Sequence, residues 1–186
     1  LRTHAEALDA KDPLAAFRNE FVIEDPTLSY LDGNSLGRMP TETIKVVDRY
    51  LRNEWGSKLV TGWSGWIDEA QSVGDLISRA TLGASSGQTL CVDTTSVNFY
   101  QLCSAAVAAR PNRKTIVSDT ANFPTDRYIL EGICKQYGLK LVLIDDDSGE
   151  EFVSPEMLRK VLNDDVALVT LSVIQYRSGV LHDVPK

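Results

Sequence analysis

Thr115-Ile116-Val117-Ser118-Asp119-Thr120-Ala121-Asn122-Phe123-Pro124-Thr125-Asp126-Arg127-Tyr128 is the stretch on which the fold turns. A β-prone run, Thr115 to Val117, ends at Ser118-Asp119, crosses a loop with an aromatic before a proline, and enters a helical stretch read from Asp126 to Tyr137. The same unit recurs on both sides. Thr89 to Val92, Leu141 to Ile144 and Val166 to Leu171 are also β-prone, and Val97 to Ala109 and Pro155 to Leu162 read as helices between them. The runs start about 25 residues apart, the length of a strand, a crossover helix and two turns. Four strands alternating with three helices predict an α/β fold, a mostly parallel sheet with flanking helices. Ser154 is placed to cap the last helix, with Pro155 at its first position.

Upstream, the first 40 residues read as irregular apart from a short amphipathic helix over Leu14 to Phe21. Asp25-Pro26 breaks the chain before the turn-rich Tyr30-Leu31-Asp32-Gly33-Asn34-Ser35-Leu36-Gly37. Ile44, Val47 and Leu51 then mark a helix with Thr41 as N-cap and Gly56 as its stop. Trp66, Ala70, Val73, Ile77 and Ala80 mark a second, ending at Gly83. Residues 1–87 are thus expected to form an N-terminal arm and two helices, and 88–186 the α/β part. Asp145 to Glu151 reads as a solvated acidic turn without a functional role.

Composition removes several classes of function. Nineteen Lys and Arg against 26 Asp and Glu leave a net charge of −7, which argues against nucleic-acid binding, although a phosphate can still be held locally by amides and hydroxyls. No apolar run approaches the roughly 20 residues of a membrane span, and the start has no secretory pattern, so the chain reads as soluble and cytoplasmic. Cys91, Cys103 and Cys134 are too scattered for a metal motif and are expected as reduced thiols; no metal is expected. Neither a P-loop nor a dinucleotide fingerprint is present. His4 and His182 lie at opposite ends, away from any nucleophile motif, which argues against a hydrolase triad.

Parallel sheets collect ligands beyond the carboxyl ends of their strands. The first run leads into Asp93-Thr94-Thr95-Ser96, hydroxyls at a helix start that either bind a phosphate or simply cap the helix. The second leads to Phe123, which either plugs the core edge or offers its face to a planar ligand, and to Asp126, an alternative helix cap. The fourth ends at Ser172, before a turn at Tyr176-Arg177-Ser178-Gly179. Trp66 fits its helix stripe as a structural residue, whereas Trp63 falls outside it and either caps a pocket or meets a partner.

Taken together, Tyr30 to Gly37 (YLDGNSLG), Asp93-Thr94-Thr95-Ser96-Val97-Asn98 and Asn122 to Tyr128 (NFPTDRY) resemble the bacterial kynureninases in order and spacing across nearly all 186 residues. The resemblance implies the large domain of the aspartate aminotransferase fold, in part, and a homodimer with active sites at the subunit boundary. It implies a hydrolase of carbon–carbon bonds in ketonic substances. The cofactor would be pyridoxal 5'-phosphate, and the substrate L-kynurenine, cleaved to anthranilate and L-alanine in tryptophan catabolism and the route to NAD. On this reading Thr95 and Ser96 bind the cofactor phosphate and Phe123 stacks on the pyridine ring. Pro124, Thr125 and Asp126 shape the loop around the cofactor, and Ser172 lies close to it. Asn34, Ser35 and Trp63 lie on the substrate side. The Schiff-base lysine and the aspartate facing the pyridine nitrogen are expected beyond Lys186, so no catalytic residue is assigned here, and the chain reads as an N-terminal part. Val173-Ile174-Gln175 departs from the His-Val-Asn of many bacterial members, which bears on fine substrate preference. The competing readings are another lyase or desulfurase of the same fold group, or an inactive fragment.

Overall fold

The computed structural model describes residues 1–146, 149 and 151–182. Asp147, Ser148 and Glu150 of the expected acidic turn, and Lys186, lie outside the described residues. The chain divides into two compact units, Leu1–Leu90 and Cys91–Lys186.

The first unit is mostly helical, apart from an irregular stretch between Phe21 and Pro40, which pair in an isolated antiparallel bridge, and the loop after its last helix. Helix α1, Arg2–Asp9, corrects the expectation of an irregular start, and the expected helix at 14–21 is a 3-10 turn, Ala15–Glu20. Both lack buried residues, so nothing in their packing announced them. Helix α2, Thr41–Arg49, is capped by Pro40 rather than Thr41, whose hydroxyl instead donates to the Glu20 carbonyl at 3.2 Å. The helix then widens into a π segment, Tyr50–Trp55, and continues through α3, Gly56–Lys58, so Gly56 is not its stop. Glycine costs a helix only about 1 kcal/mol against alanine, too little to end one unaided. After a 3-10 turn come α4, Trp63–Trp66, and α5, Glu69–Ile77, which passes through a second π segment to Gly83. Gly83 does stop it, in the left-handed conformation at φ 64° that glycine adopts without a Cβ penalty.

The second unit is the α/β part. Helix α6, Thr95–Ala108, leads to strand β1, Thr115–Asp119; helix α7, Pro124–Tyr137, to β2, Lys140–Ile144; and helix α8, Pro155–Val161, to β3, Val166–Val169. The three strands are parallel in the order β2-β1-β3, with Thr115 opposite Lys140 and Asp119 opposite Ile144. The α/β class and parallel sheet are as expected, but among the described residues the sheet has three strands rather than four. Thr89 to Val92 is not a strand among the described residues: Leu90 and Val92 are exposed and the run has no ladder partner. A β-prone run becomes a strand only where a neighbour takes its backbone hydrogen bonds, which propensity does not supply.

Central β1 is buried along its whole length, as a parallel strand covered on both faces must be. Its side chains alternate. Ile116 packs with Cys103 and Val107 of α6 and with Leu130, Ile133 and Cys134 of α7. Val117 faces the opposite layer, with Ile144, Val166, Val153 and the α8 residues Met157, Leu158 and Val161. Asp165 ties the strand starts together, its carboxylate accepting from the Lys114 amide at 3.0 Å and the Thr115 hydroxyl at 2.7 Å. The Ser154 cap is realised, its hydroxyl accepting from the Met157 amide at 3.2 Å.

Candidate functional site

The site is built outward from the carboxyl end of β1. Ser118 and Asp119 close the strand fully buried, and Thr120 extends the ladder by donating its amide to the Ile144 carbonyl at 2.9 Å. Asn122 follows, 3% exposed. Its Nδ2 donates to Ser118 Oγ at 3.0 Å, while its Oδ1 accepts from the Phe123 amide at 2.8 Å and from Ser172 Oγ at 2.9 Å. Phe123 is the N-cap residue of α7 and Pro124 its first residue. Pro124 has no amide hydrogen to lose there and its fixed φ suits the helix start. Asp126 is therefore not the cap but an acid of the first turn, where the helix dipole favours it. Burial acts the other way and holds its carboxyl above the usual carboxylate value.

The Phe123 ring is 47% exposed, which answers the question of whether it plugs the core. One side meets Tyr176 edge-on at a centroid separation of 5.1 Å, and the remainder faces outward. Tyr176 sits in the expected turn, closed by the Gly179 amide on the Gln175 carbonyl at 2.9 Å. Gln175, 1% exposed, fastens this turn to the sheet by donating Nε2 to Asp119 Oδ1 at 3.0 Å.

Ser172 lies three residues beyond the end of β3 at Val169, not at the strand end as expected, because the ladder closes with the Thr170 amide on Val117. It is pinned twice, through its hydroxyl to Asn122 and through its carbonyl to His182 Nδ1 at 2.8 Å. The Val153 amide donates to His182 Nε2 at 3.0 Å. An amide hydrogen requires a lone pair there, so the imidazole carries its proton on Nδ1 and gives it to the Ser172 carbonyl. His182 also stacks on Phe152 at 5.4 Å.

Of Thr94, Thr95 and Ser96, one takes the capping role. Thr94 is the cap of α6, its Oγ1 accepting from the Val97 amide at 3.3 Å. Asp93 turns the chain into the helix with φ 47°. Thr95 and Ser96 are left with exposed or half-exposed side chains at the first two helical positions, where the amides have no intrahelical acceptor. No hydrogen bond or ring contact among the described residues joins them to Phe123 or Ser172. The link is through the core in which α6 and α7 pack, and burial followed by the Asp126 charge pushes the Cys103 thiol there up to about 11.

Asn34, Ser35 and Trp63 belong to the first unit. Ser35 Oγ donates to Asp32 at 2.8 Å inside a loop that Tyr30 closes on the Leu36 carbonyl at 2.6 Å, and Asn34 is exposed. Trp63 is exposed, with its ring 6.1 Å from half-buried Trp66. Sequence reasoning gave no role to Asn122, although it stands inside the quoted motif, nor to Gln175, Tyr176 or His182. Each has a partner distant in the chain, Ser172 for Asn122, Asp119 for Gln175, Phe123 for Tyr176 and Val153 for His182, which no local pattern announces.

The second unit is a parallel α/β unit with a helix start that carries exposed or half-exposed hydroxyls and, past the end of β1, a half-exposed phenylalanine. No family model matches the chain. It is 37% identical over 191 residues to the kynureninase of Pseudomonas fluorescens, an alignment covering 98% of this chain. It is 35% identical over 192 residues to the kynureninases of Burkholderia pseudomallei (strain K96243) and Burkholderia mallei (strain SAVP1), covering 99%. The chain spans 44% of the length of these curated relatives. The resemblance carried by the motifs is therefore a similarity to kynureninases along nearly the entire chain.

No helix among the described residues is long and apolar enough to cross a membrane. No group of three or more His, Cys, Asp or Glu among them could hold a metal ion.

Proposed function

We propose that this chain forms part of a pyridoxal-phosphate kynureninase, which hydrolyses L-kynurenine to anthranilate and L-alanine in tryptophan catabolism. The observation that carries the reading is the similarity to kynureninases over 98% of the chain. The residues present suit the cofactor. Thr95 and Ser96 offer two hydroxyls and two amides at the positive end of a 14-residue helix, a donor set made for a dianionic phosphate. Phe123 offers an outward ring on a backbone fixed by Asn122.

When bound, pyridoxal phosphate supplies the electron sink that lets an amino-acid α-carbon lose its proton. The chain's own residues bind and orient. Thr95 and Ser96 would hold the phosphate, Phe123 would stack on the ring, and Pro124, Thr125 and Asp126 would shape the loop around the cofactor. Ser172 would lie close to the cofactor, with its hydroxyl donating to Asn122. Asn34, Ser35 and Trp63 contact the substrate, with L-kynurenine preferred over its 3-hydroxy form. The enzyme works in the cytoplasm as a homodimer.

The test uses the polypeptide expressed from the complete reading frame that contains these residues. Its intact mass is compared with the 20.5 kDa of this chain, and it is then loaded with pyridoxal phosphate and given L-kynurenine. Fluorescent anthranilate and one equivalent of alanine are expected. A folded, cofactor-loaded protein that releases neither overturns the proposal.

A further inference from the structure

We infer that Asn122 is a positioning residue that sets the cofactor-facing Phe123 and Ser172 as one rigid unit, an inference that rests on the function proposed above. Three features carry it. The first is the orientation of the side-chain amide. The Phe123 backbone N–H can only donate, so the group 2.8 Å from it must be the Asn122 oxygen, and the nitrogen must face Ser118. The second is the double use of that oxygen. Oδ1 accepts from Phe123 N and from Ser172 Oγ, so one atom links two residues almost 50 positions apart in the chain. The third is burial. Asn122 is 3% exposed and its anchor Ser118 is fully buried on the central strand, so the amide cannot swing away to water.

The consequence is geometric. The Phe123 amide is held by Asn122, and its ring packs edge-to-face with Tyr176 at a centroid separation of 5.1 Å. Ser172 Oγ spends its hydrogen on Asn122, so its lone pairs are what it can offer a ligand. Asn122 itself touches neither phosphate nor ring on this reading; it acts through the two residues it holds.

The experiment uses the complete polypeptide and measures pyridoxal phosphate itself. Asn122→Leu keeps the size and removes every polar atom. Asn122→Asp keeps the acceptor for Phe123 and Ser172, and the Ser118 hydroxyl can turn to donate to its second oxygen. Equilibrium dialysis gives the cofactor Kd, and visible circular dichroism reports the asymmetry of the bound ring. Thermal unfolding without cofactor separates loss of fold from loss of positioning.

Asn122→Leu is expected to weaken binding about tenfold and to reduce the visible dichroism, with Asn122→Asp restoring most of both. Ser172→Ala, which leaves the Phe123 bond intact, is expected to show a smaller change of the same kind and serves if Asn122→Leu does not fold. Wild-type Kd and dichroism in Asn122→Leu overturn the inference; so do wild-type values in Ser172→Ala when that variant stands in for it. Failure of the unmutated protein to bind the cofactor overturns the proposed function instead, and the two failures are distinct readings of the same titration.

Discussion

The two units of the chain solve the problem of order in different ways. In Cys91–Lys186, Ile116, Val117, Leu130 and Ile133 are completely buried, and every buried hydrophobic side chain among the described residues belongs to this unit. In Leu1–Leu90 the buried positions are Gly62, Gly74 and Ser78, while Ile44, Val47, Leu51 and Trp55 along α2 and the segment after it stay exposed. The first unit is held by backbone approach and polar contacts. Gly74 lets the chain at Thr89 pass so close that a Cβ would collide with its carbonyl, and Asp75 accepts from the Ser86 hydroxyl, the Gly87 amide and Gln71. Apolar burial contributes about 25 cal/mol per Å², so a unit without it leans on something else. One α/β core buries the apolar side chains, while the helical unit leaves most of its own exposed or half-exposed.

That contrast can be broken by experiment. Ile116→Ala or Leu130→Ala should cost about 2–5 kcal/mol in denaturant unfolding, because each leaves a cavity in a closed core. Ile44→Ala, at a side chain 56% exposed, should change stability by less than about 0.5 kcal/mol. A loss at Ile44 as large as that at Ile116 would show that the α2 face is covered in solution, and the contrast would fail.

Next in size is Gly74→Ala, expected to cost about 1–3 kcal/mol by overpacking against Thr89, read from the loss of helical circular dichroism. The two helix starts give a smaller pair. Ser154→Ala removes a capping bond and should cost about 1 kcal/mol, whereas Thr41→Ala removes no cap and should cost less.

Two carboxyls, Asp75 in the first unit and Asp126 in the second, carry pH dependences of opposite sign. The Ser86 hydroxyl and the Gly87 amide hold the Asp75 carboxyl below its usual value. Its contribution is present above the unfolded value and is lost as pH falls through the folded one, so Asp75→Asn should lower the melting temperature at neutral pH and not in strong acid. Burial holds Asp126 above its usual value. Its charged form opposes folding as pH rises past the unfolded value, so Asp126→Asn should raise the melting temperature at neutral pH, and the gain should vanish in acid. Smallest in energy but sharpest in contrast is thiol labelling. Exposed Cys91 should react quickly with a thiol reagent, while Cys134 and Cys103, the latter pushed up to about 11, should react only after denaturant is added.

Local chemistry was legible in the residues. Ser154-Pro155 announced a helix start and Gly83 a stop, because caps and left-handed glycine are decided within a few residues. Thr95-Ser96 was legible as part of a helix start and Phe123 as a loop aromatic for the same reason. What misled was anything that needed a partner. Thr89 to Val92 had the composition of a strand and no neighbour to pair with, and Thr41 had the chemistry of a cap but spent its hydroxyl on Glu20.

The sequence by itself determined the alternation of strands and helices, the parallel sheet that alternation requires, and the motifs that tie the chain to kynureninases. These depend on spacing and side-chain type, which the chain carries at every point. The tertiary structure alone decided that β1 is central, that Ser172 meets Asn122, that Gln175 reaches Asp119, and that the histidine proton sits on Nδ1. Each of these joins residues about 30 to 60 positions apart or ranks strands in a sheet, and a hydrogen bond between distant residues exists only after packing has brought donor and acceptor to within about 3 Å.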